Sequence, residues 1–506
     1  MSLPKPKVIL RHCDTYDADR IREIAREALE ELDLVPRGRV LVKPNLVAAL
    51  KGYWELSYTR PEVADGVLGA LRDRDEGEMT ELAVGERGGI TMPTRLMWKQ
   101  AGYEPVVRKH AAKRYFYDEV TQVPVQLRHP DRLRDVIYAP EPVVQADFFV
   151  NLPKFKAHPW TTVTFGAKNY IGLQDDRHRL IDHDHRLNEK VADLQELVQP
   201  KFLCIDGITA GMGRMLTPKP RQLNLLVFGN NQPAVDAVGC HILGIDPHTV
   251  DHVRLCGERG YGTIELDQIE LSGDVTLAEA QQRADNYEVG LIRVEDFSKG
   301  TPVTAVAGPP PQDAADGTEG TEYCWGGCPG CYEEAWDIVS LFEPDAEQTM
   351  RKVTLVFGAY QGDLELEPGE KVAFIGDCCR WEGELDGEPV KIDSCYTQRR
   401  HRDPHTASMT DIYIKMARFY ETVLANRNKP YVRIPGCPVS VAEVVLTLVS
   451  LGKTKNPYFL PSTVVPFCTA WTGWRMNRMW RAATGRPYMA RDREPIPAPA
   501  TPAAFR

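Results

Sequence analysis

Three thiols fall within eight residues in Cys324-Trp-Gly-Gly-Cys328-Pro-Gly-Cys331. Glycines around them let the backbone curl about a metal and aim N–H groups at sulfur. A fourth ligand must come from elsewhere. Cys378 follows an apolar run in Gly376-Asp377-Cys378, and Cys437 stands in Pro435-Gly436-Cys437-Pro438 before an apolar helical segment. A thiolate at a helix start is favoured by the exposed N–H groups. Cys324, Cys379 and Cys395 are possible extra ligands, and Cys379 is an alternative to Cys378. The chemistry read from this pattern is an iron–sulfur cluster; structural zinc and unliganded thiols are the alternatives. The usual second Cys-x-x-Cys pair of a zinc site is missing. Of the twelve cysteines, Cys13, Cys204, Cys240, Cys256 and Cys468 read as small buried residues.

A second set of groups stands at the ends of short apolar runs: Lys43-Pro44-Asn45, Gly85-Glu86, Asn151-Leu-Pro-Lys154-Phe-Lys156-Ala-His158, Lys168-Asn169, Asp206-Gly207 and Asp236. Lys43, Lys154, Lys156 and Lys168 with Asn45 and Asn169 suit a carboxylate or phosphate ligand. His158 and His185 are candidate proton donors, with Lys168 and Glu86 beside them as catalytic groups. Glu86 and Asp206 could each orient a lysine or histidine; the plainer reading is a buried ion pair. Asp182-His183-Asp184-His185, with His178 before it, reads as an ordinary polar loop, a proton donor or a divalent-metal site.

The elements that must position these groups are α/β in pattern. Ile21, Ile24, Ala25, Ala28, Leu29 and Leu32 recur at helical spacing between Asp17 and Asp33. Val8–Leu10, Val40–Val42, Leu82–Val84, Phe148–Val150, Phe202–Ile205 and Leu223–Phe228 read as strands buried on both faces. The fold expected is an N-terminal three-layer α/β domain with a mostly parallel sheet over residues 1–300. A Pro-rich, acidic linker follows over 301–320. A smaller cysteine-rich α/β domain spans 321–460, and a tail, disordered from Glu494 onward, spans 461–506. The net charge of −10 over 506 residues argues against nucleic-acid binding. No apolar run approaches the ~20 residues of a membrane span, and the N-terminus lacks a signal-peptide pattern, so a cytoplasmic location is expected. Arg399–Arg402 reads as a solvated loop. Trp471, Trp474 and Trp480 with Arg475, Arg478 and Arg481 read as a segment docked on the protein's own body, with a partner-protein or membrane-surface contact as the alternative.

Two resemblances add to this. The order Cys328, Cys331, Cys378 and the Pro-Gly-Cys437-Pro motif resemble the proximal 4Fe–4S site of the nickel–iron hydrogenase small subunit and of related complex I subunits. That resemblance covers the last third of the chain and implies those four cysteines as cluster ligands. Val40–Val47, Asn151–His158, Lys168-Asn169, Asp206-Gly207 and Pro233–Ala237 resemble the family called domain of unknown function 362, over residues 5 to 265. Members of that family commonly carry a ferredoxin-like or other 4Fe–4S domain. Thr59-Arg60-Pro61 and Ala210–Pro218 depart from the family pattern, which touches the substrate more than the scaffold.

The expectation is therefore a 4Fe–4S redox protein and oxidoreductase. It would take electrons from a ferredoxin-type donor and reduce a small anionic organic substrate. A non-enzymatic electron-transfer or assembly protein is the first alternative. A metal-dependent isomerase or ligase-like enzyme with structural zinc is the second. No Gly-x-Gly-x-x-Gly dinucleotide fingerprint is present.

Overall fold

The computed structural model describes residues 5–50, 54–89, 92–175, 179, 187–310, 322–393, 428–436, 439–457 and 460–499. His178, Asp182–His185, Cys395, Arg399–Arg402 and Cys437 lie outside the described residues. The chain divides into two compact units. The first comprises residues 1–175, 188–290 and 466–506; the second comprises 176–187 and 291–465.

The first unit is built on one large sheet. Its strands are β1 (Lys7–His12), β2 (Gly38–Pro44), β3 (Met79–Glu86), β4 (Lys113–Phe116), β7 (Phe148–Leu152), β8 (Lys154–His158), β9 (Thr162–Val163), β10 (Phe202–Met212), β11 (Lys219–Gly229) and β12 (Glu270–Gly273). The order is β12-β1-β11-β10-β7-β2-β3-β4, with β8 on β10 and β9 on β8. The run from β10 through β7, β2 and β3 to β4 is parallel; β11 is antiparallel to both β10 and β1. The fold class is thus the expected one: α/β, with a mostly parallel sheet.

Helices form because the apolar residues recur at 3.6 spacing. The helix Ala18–Glu31 is capped by the Asp17 carboxylate and buries Ile21, Ile24, Ala25, Ala28 and Leu29. The helix Pro61–Asp73 takes Pro61 at its first position and lies against it in the same apolar cluster. That cluster fills one side of the sheet with Val40, Val42, Leu82, Val84, Phe148 and Val150. The other side buries Leu203, Ile205, Leu225 and Val227 against the helix Gln232–Ile242.

A small sheet in the same unit contains β5 (Gln122–Gln126), β6 (Val136–Pro140) and β18 (Ile496–Pro497). Here the structure corrects the expected disorder beyond Glu494. Ile496 and Pro497 pair in parallel with Val125 and Gln126, and the Ala498 N–H donates to Gln126 O. An unpaired strand edge accepts even a Pro/Ala-rich segment where only alternate groups must bond. The helix Pro461–Ala483 precedes it. Its Trp474 is buried and donates from Nε1 to Asp118 O at 3.1 Å, so this tryptophan docks on the protein's own body.

The second unit has a five-stranded sheet of β13 (Val303–Ala307), β14 (Val353–Ala359), β15 (Lys371–Leu385), β16 (Glu388–Ile392) and β17 (Tyr431–Ile434). Val303–Ala307, expected within a linker, is a strand paired in parallel with Val353–Phe357. Its Val-x-Ala-x-Ala alternation supplies one buried face.

Candidate functional site

The polar groups gather at the carboxyl ends of the parallel strands, where open α/β sheets bind ligands. Lys43 ends β2 and lies in register with Asn151 of β7; Glu86 ends β3. All three are buried. Lys43 Nζ donates to Glu86 Oε2 at 2.6 Å, to Asn169 Oδ1 at 3.1 Å and to Pro44 O at 3.3 Å. An ammonium has three protons, and these acceptors match that number. Asn169 Nδ2 donates to Asn151 Oδ1, and Asn151 Nδ2 donates to Gly166 O and Gln232 Oε1. Gly172 packs directly over the Lys43–Glu86 pair, where a methyl group would collide with Glu86 Oε1.

A second buried pair stands on the far side of β7, on β8 and β10. Lys154 Nζ lies 2.8 Å from Asp206 Oδ2 and 3.0 Å from the Tyr16 hydroxyl. Asp206 also accepts from Tyr16 OH and from the Arg60 N–H. Burial pushes the Tyr16 phenol up, and the Asp206 charge adds to it. Burial lowers the Lys154 ammonium pKa; Asp206 opposes the shift. Lys43 and Lys154 were expected to face a ligand. In the structure they hold the protein's own carboxylates, which is the plainer of the two readings of Glu86 and Asp206. Asn45 is also used locally: its Oδ1 accepts the Val47 N–H at 3.3 Å.

The segment Lys154–His158 was expected as a polar motif beyond a strand. It is itself a buried strand, paired with β10 at Asp206 and Gly211. Strand alternation sends Phe155 into the apolar core and sets Lys154, Lys156 and His158 on the opposite face. The alternation Lys-Phe-Lys-Ala-His carried that signal. Lys156 Nζ donates to Met215 O at 2.6 Å, and His158 Nδ1 accepts the Trp160 N–H at 3.2 Å. Lys168 ends a short helix, Phe165–Lys168, whose first N–H groups are held by the Asp236 carboxylate. Burial pushes Asp236 up to about 7, against the pull of those two N–H donors.

Sequence reading missed two buried groups nearby. Arg87, next to Glu86, donates to Tyr117 O at 2.6 Å and Tyr488 OH at 3.0 Å, and Tyr488 OH donates to Asp175. No local spacing links residues so far apart. His252 is fully buried, and neither ring nitrogen has a hydrogen-bond partner among the described residues. Burial, with the Lys168 charge as the lesser cause, pushes it down to about 3. The unfolded chain therefore binds one more proton than the fold between pH ~3 and ~6.5. The stability contributed by keeping His252 neutral is present above that window and is lost as pH falls through it. His252→Leu should remove about 2 kcal/mol of the stability lost between pH 8 and pH 5. Urea denaturation at the two pH values measures this; identical losses in both proteins would refute it.

In the second unit the helix Gly327–Phe342 begins at Gly327, so Cys328 and Cys331 lie in its first turns and not in a loop. Three-residue spacing puts both on one helix face. Cys378 also differs from expectation. β15 does not stop at Ile375 but runs on to Leu385, with its register against β14 shifting beyond Phe357. Gly376 accommodates the irregularity with φ +96°, a conformation that suits glycine. A methyl group there would lie 3.2 Å from Cys328 Sγ and 3.7 Å from Cys378 Sγ, so the two sulfurs share this glycine. Asp377 N–H donates to Gly436 O at 2.9 Å, and Gly436 N–H donates to Asp377 Oδ1 at 2.8 Å. This two-way clamp fixes the residue before Cys437. Val439 N–H points at Cys328 Sγ at 3.4 Å. Cys379 faces the sheet core, donating to Val356 O at 3.3 Å. Cys324 Sγ would lie 3.5 Å from a methyl group on Gly326. Among the described residues, no three His, Cys, Asp or Glu side chains meet in a metal-holding group.

The family model described as Domain of unknown function (DUF362) matches residues 40–241. The thylakoid-associated protein sll1697 of Synechocystis sp. is 26% identical over 264 residues, 48% of this chain and 76% of that protein. The solved lactate racemase apoprotein from Thermoanaerobacterium thermosaccharolyticum aligns at 13% identity with a TM-score of 0.31. That alignment covers 48% of this chain and 59% of that one, under two thirds of its length. Among the described residues no helix is long and apolar enough to cross a membrane.

Proposed function

We propose that this chain is an iron–sulfur redox protein that reduces a small anionic organic substrate with electrons from a ferredoxin-type donor. The observation that carries the reading is the convergence of Cys328 Sγ and Cys378 Sγ on Gly376, beside the clamped Asp377–Gly436 pair. Cys331, on the same helix face as Cys328, and Cys437, which follows Gly436 in the sequence, would complete the ligand set. A 4Fe–4S cluster there would supply one electron at a time.

This chain's own residues would do the rest. The helix start at Gly327 stabilises thiolate at Cys328. Val439 N–H donates toward the Cys328 sulfur, and such donors raise the potential of a cluster. In the first unit Lys156 and Lys168 would hold the substrate's acidic group. His158, whose Nδ1 accepts a backbone N–H, keeps its proton on Nε2 when neutral and would hydrogen-bond the substrate from there. Lys43 and Lys154 would act indirectly, by fixing Glu86 and Asp206.

Iron, zinc and acid-labile sulfide analysis of anaerobically purified protein tests the reading. About four irons and four sulfides per chain are expected, with a broad band near ~400 nm that bleaches on dithionite addition. Stoichiometric zinc without a chromophore overturns it and favours the structural-zinc alternative.

A further inference from the structure

A cavity of about 350 Å³ opens in the first unit toward the amino ends of the parallel strands, lined by the early part of β2, by β3 and β4, and by Arg481 and Arg486. Arg39 lies on its wall four residues before Lys43, about 13 Å along the strand. It is therefore separate from the strand-end groups described above. Its size is at the lower end of small-molecule sites, which run from about 300 Å³ upward. Val40 and Leu41 add an apolar contribution to the lining.

The charges on this wall do not cancel. Glu81 is bonded by Lys113 and by the Tyr115 hydroxyl, and Glu141 is paired with Arg493 at 2.6 Å. The two carboxylates are thus already neutralised by cations of their own. Arg39 spends one donor on the neutral Gln145 amide at 3.0 Å. Arg481 donates to Thr121 Oγ1 at 3.1 Å, while its Nε is buried with no partner among the described residues. Arg486 is exposed and, among the described residues, makes no ion pair. Burial lowers the Arg481 pKa and the Arg486 charge lowers it further, while Glu141 and Glu119 oppose the shift.

We propose that this cavity is a second anion site, which takes a compact molecule carrying at least two negative charges, of phosphate or polycarboxylate type. Three guanidinium groups that make no direct ion pair among the described residues present planar forks that match either group. The buried, unpartnered Arg481 Nε is a donor whose desolvation cost such a ligand would offset.

Calorimetric titration of the full chain with inorganic phosphate, pyrophosphate and citrate tests this. At about 50 mM salt, at least one probe should bind with Kd below about 1 mM, and binding should weaken at about 300 mM. Arg486→Gln, at an exposed position, should weaken it about tenfold, and Arg39→Gln combined with Arg486→Gln further. Phosphates binding without citrate assigns a phosphate ligand, and citrate alone a polycarboxylate; both support the site. Absence of heat with all three probes to about 10 mM overturns the proposal, as does binding that neither variant changes.

Discussion

Asp206→Ala should lower the unfolding free energy by about 3–5 kcal/mol, the usual cost of removing one partner of a buried ion pair. The Lys154 ammonium would be left fully buried without its carboxylate, and the Tyr16 hydroxyl and Arg60 N–H would each lose an acceptor. The denaturation midpoint should fall while the slope stays unchanged, since the same surface is exposed on unfolding. Lys154→Met combined with Asp206→Leu separates pair from packing. Two apolar side chains of similar size remove both charges together, and most of the loss should be recovered. If the single and double variants fall equally, the pair is not the source of the effect.

The second large effect concerns two neighbouring thiols. Cys378→Ser should abolish the ~400 nm band and take iron from about four per chain to below about one. Cys379→Ser should leave both unchanged. The difference follows from direction: in an extended strand, successive side chains leave on opposite faces. Cys378 Sγ approaches Gly376, whereas Cys379 donates to Val356 O among Phe374 and Trp381. Loss of iron in Cys379→Ser, or retention in Cys378→Ser, would exchange their roles and undo the assignment built on Gly376.

Much of the scaffold is legible in the sequence. Ile21, Ile24, Ala28 and Leu29 announce their helix, and Val353–Phe357 its strand, because a buried face repeats with the period of the backbone. The strand-end clustering of Lys43, Glu86 and Asp206 was legible too, since each follows an apolar run. Their pairing was not. Lys43 meets Glu86 across 43 residues and Lys154 meets Asp206 across 52, and nothing local distinguishes a lysine that awaits a ligand from one already bonded. Lys154–His158 was misplaced for a related reason. Two lysines and a histidine look solvated until a carboxylate and a sheet neighbour make their burial affordable. Gly376 looks like the end of the apolar run before Cys378; its positive φ instead allows the strand to continue.

The return of residues 466–506 to the first unit also has a consequence for synthesis. Trp474, Tyr488 and β18 belong with strands made from the first 150 residues. The ribosome must add more than 300 intervening residues before it reaches them. At 5–20 residues per second that is a wait of roughly fifteen to sixty seconds. Throughout it, Val125 and its neighbours on β5 offer an unclaimed edge, and Asp118 lacks its tryptophan. The nascent chain is thus most exposed to chaperones and to wrong pairing while its second unit is being made.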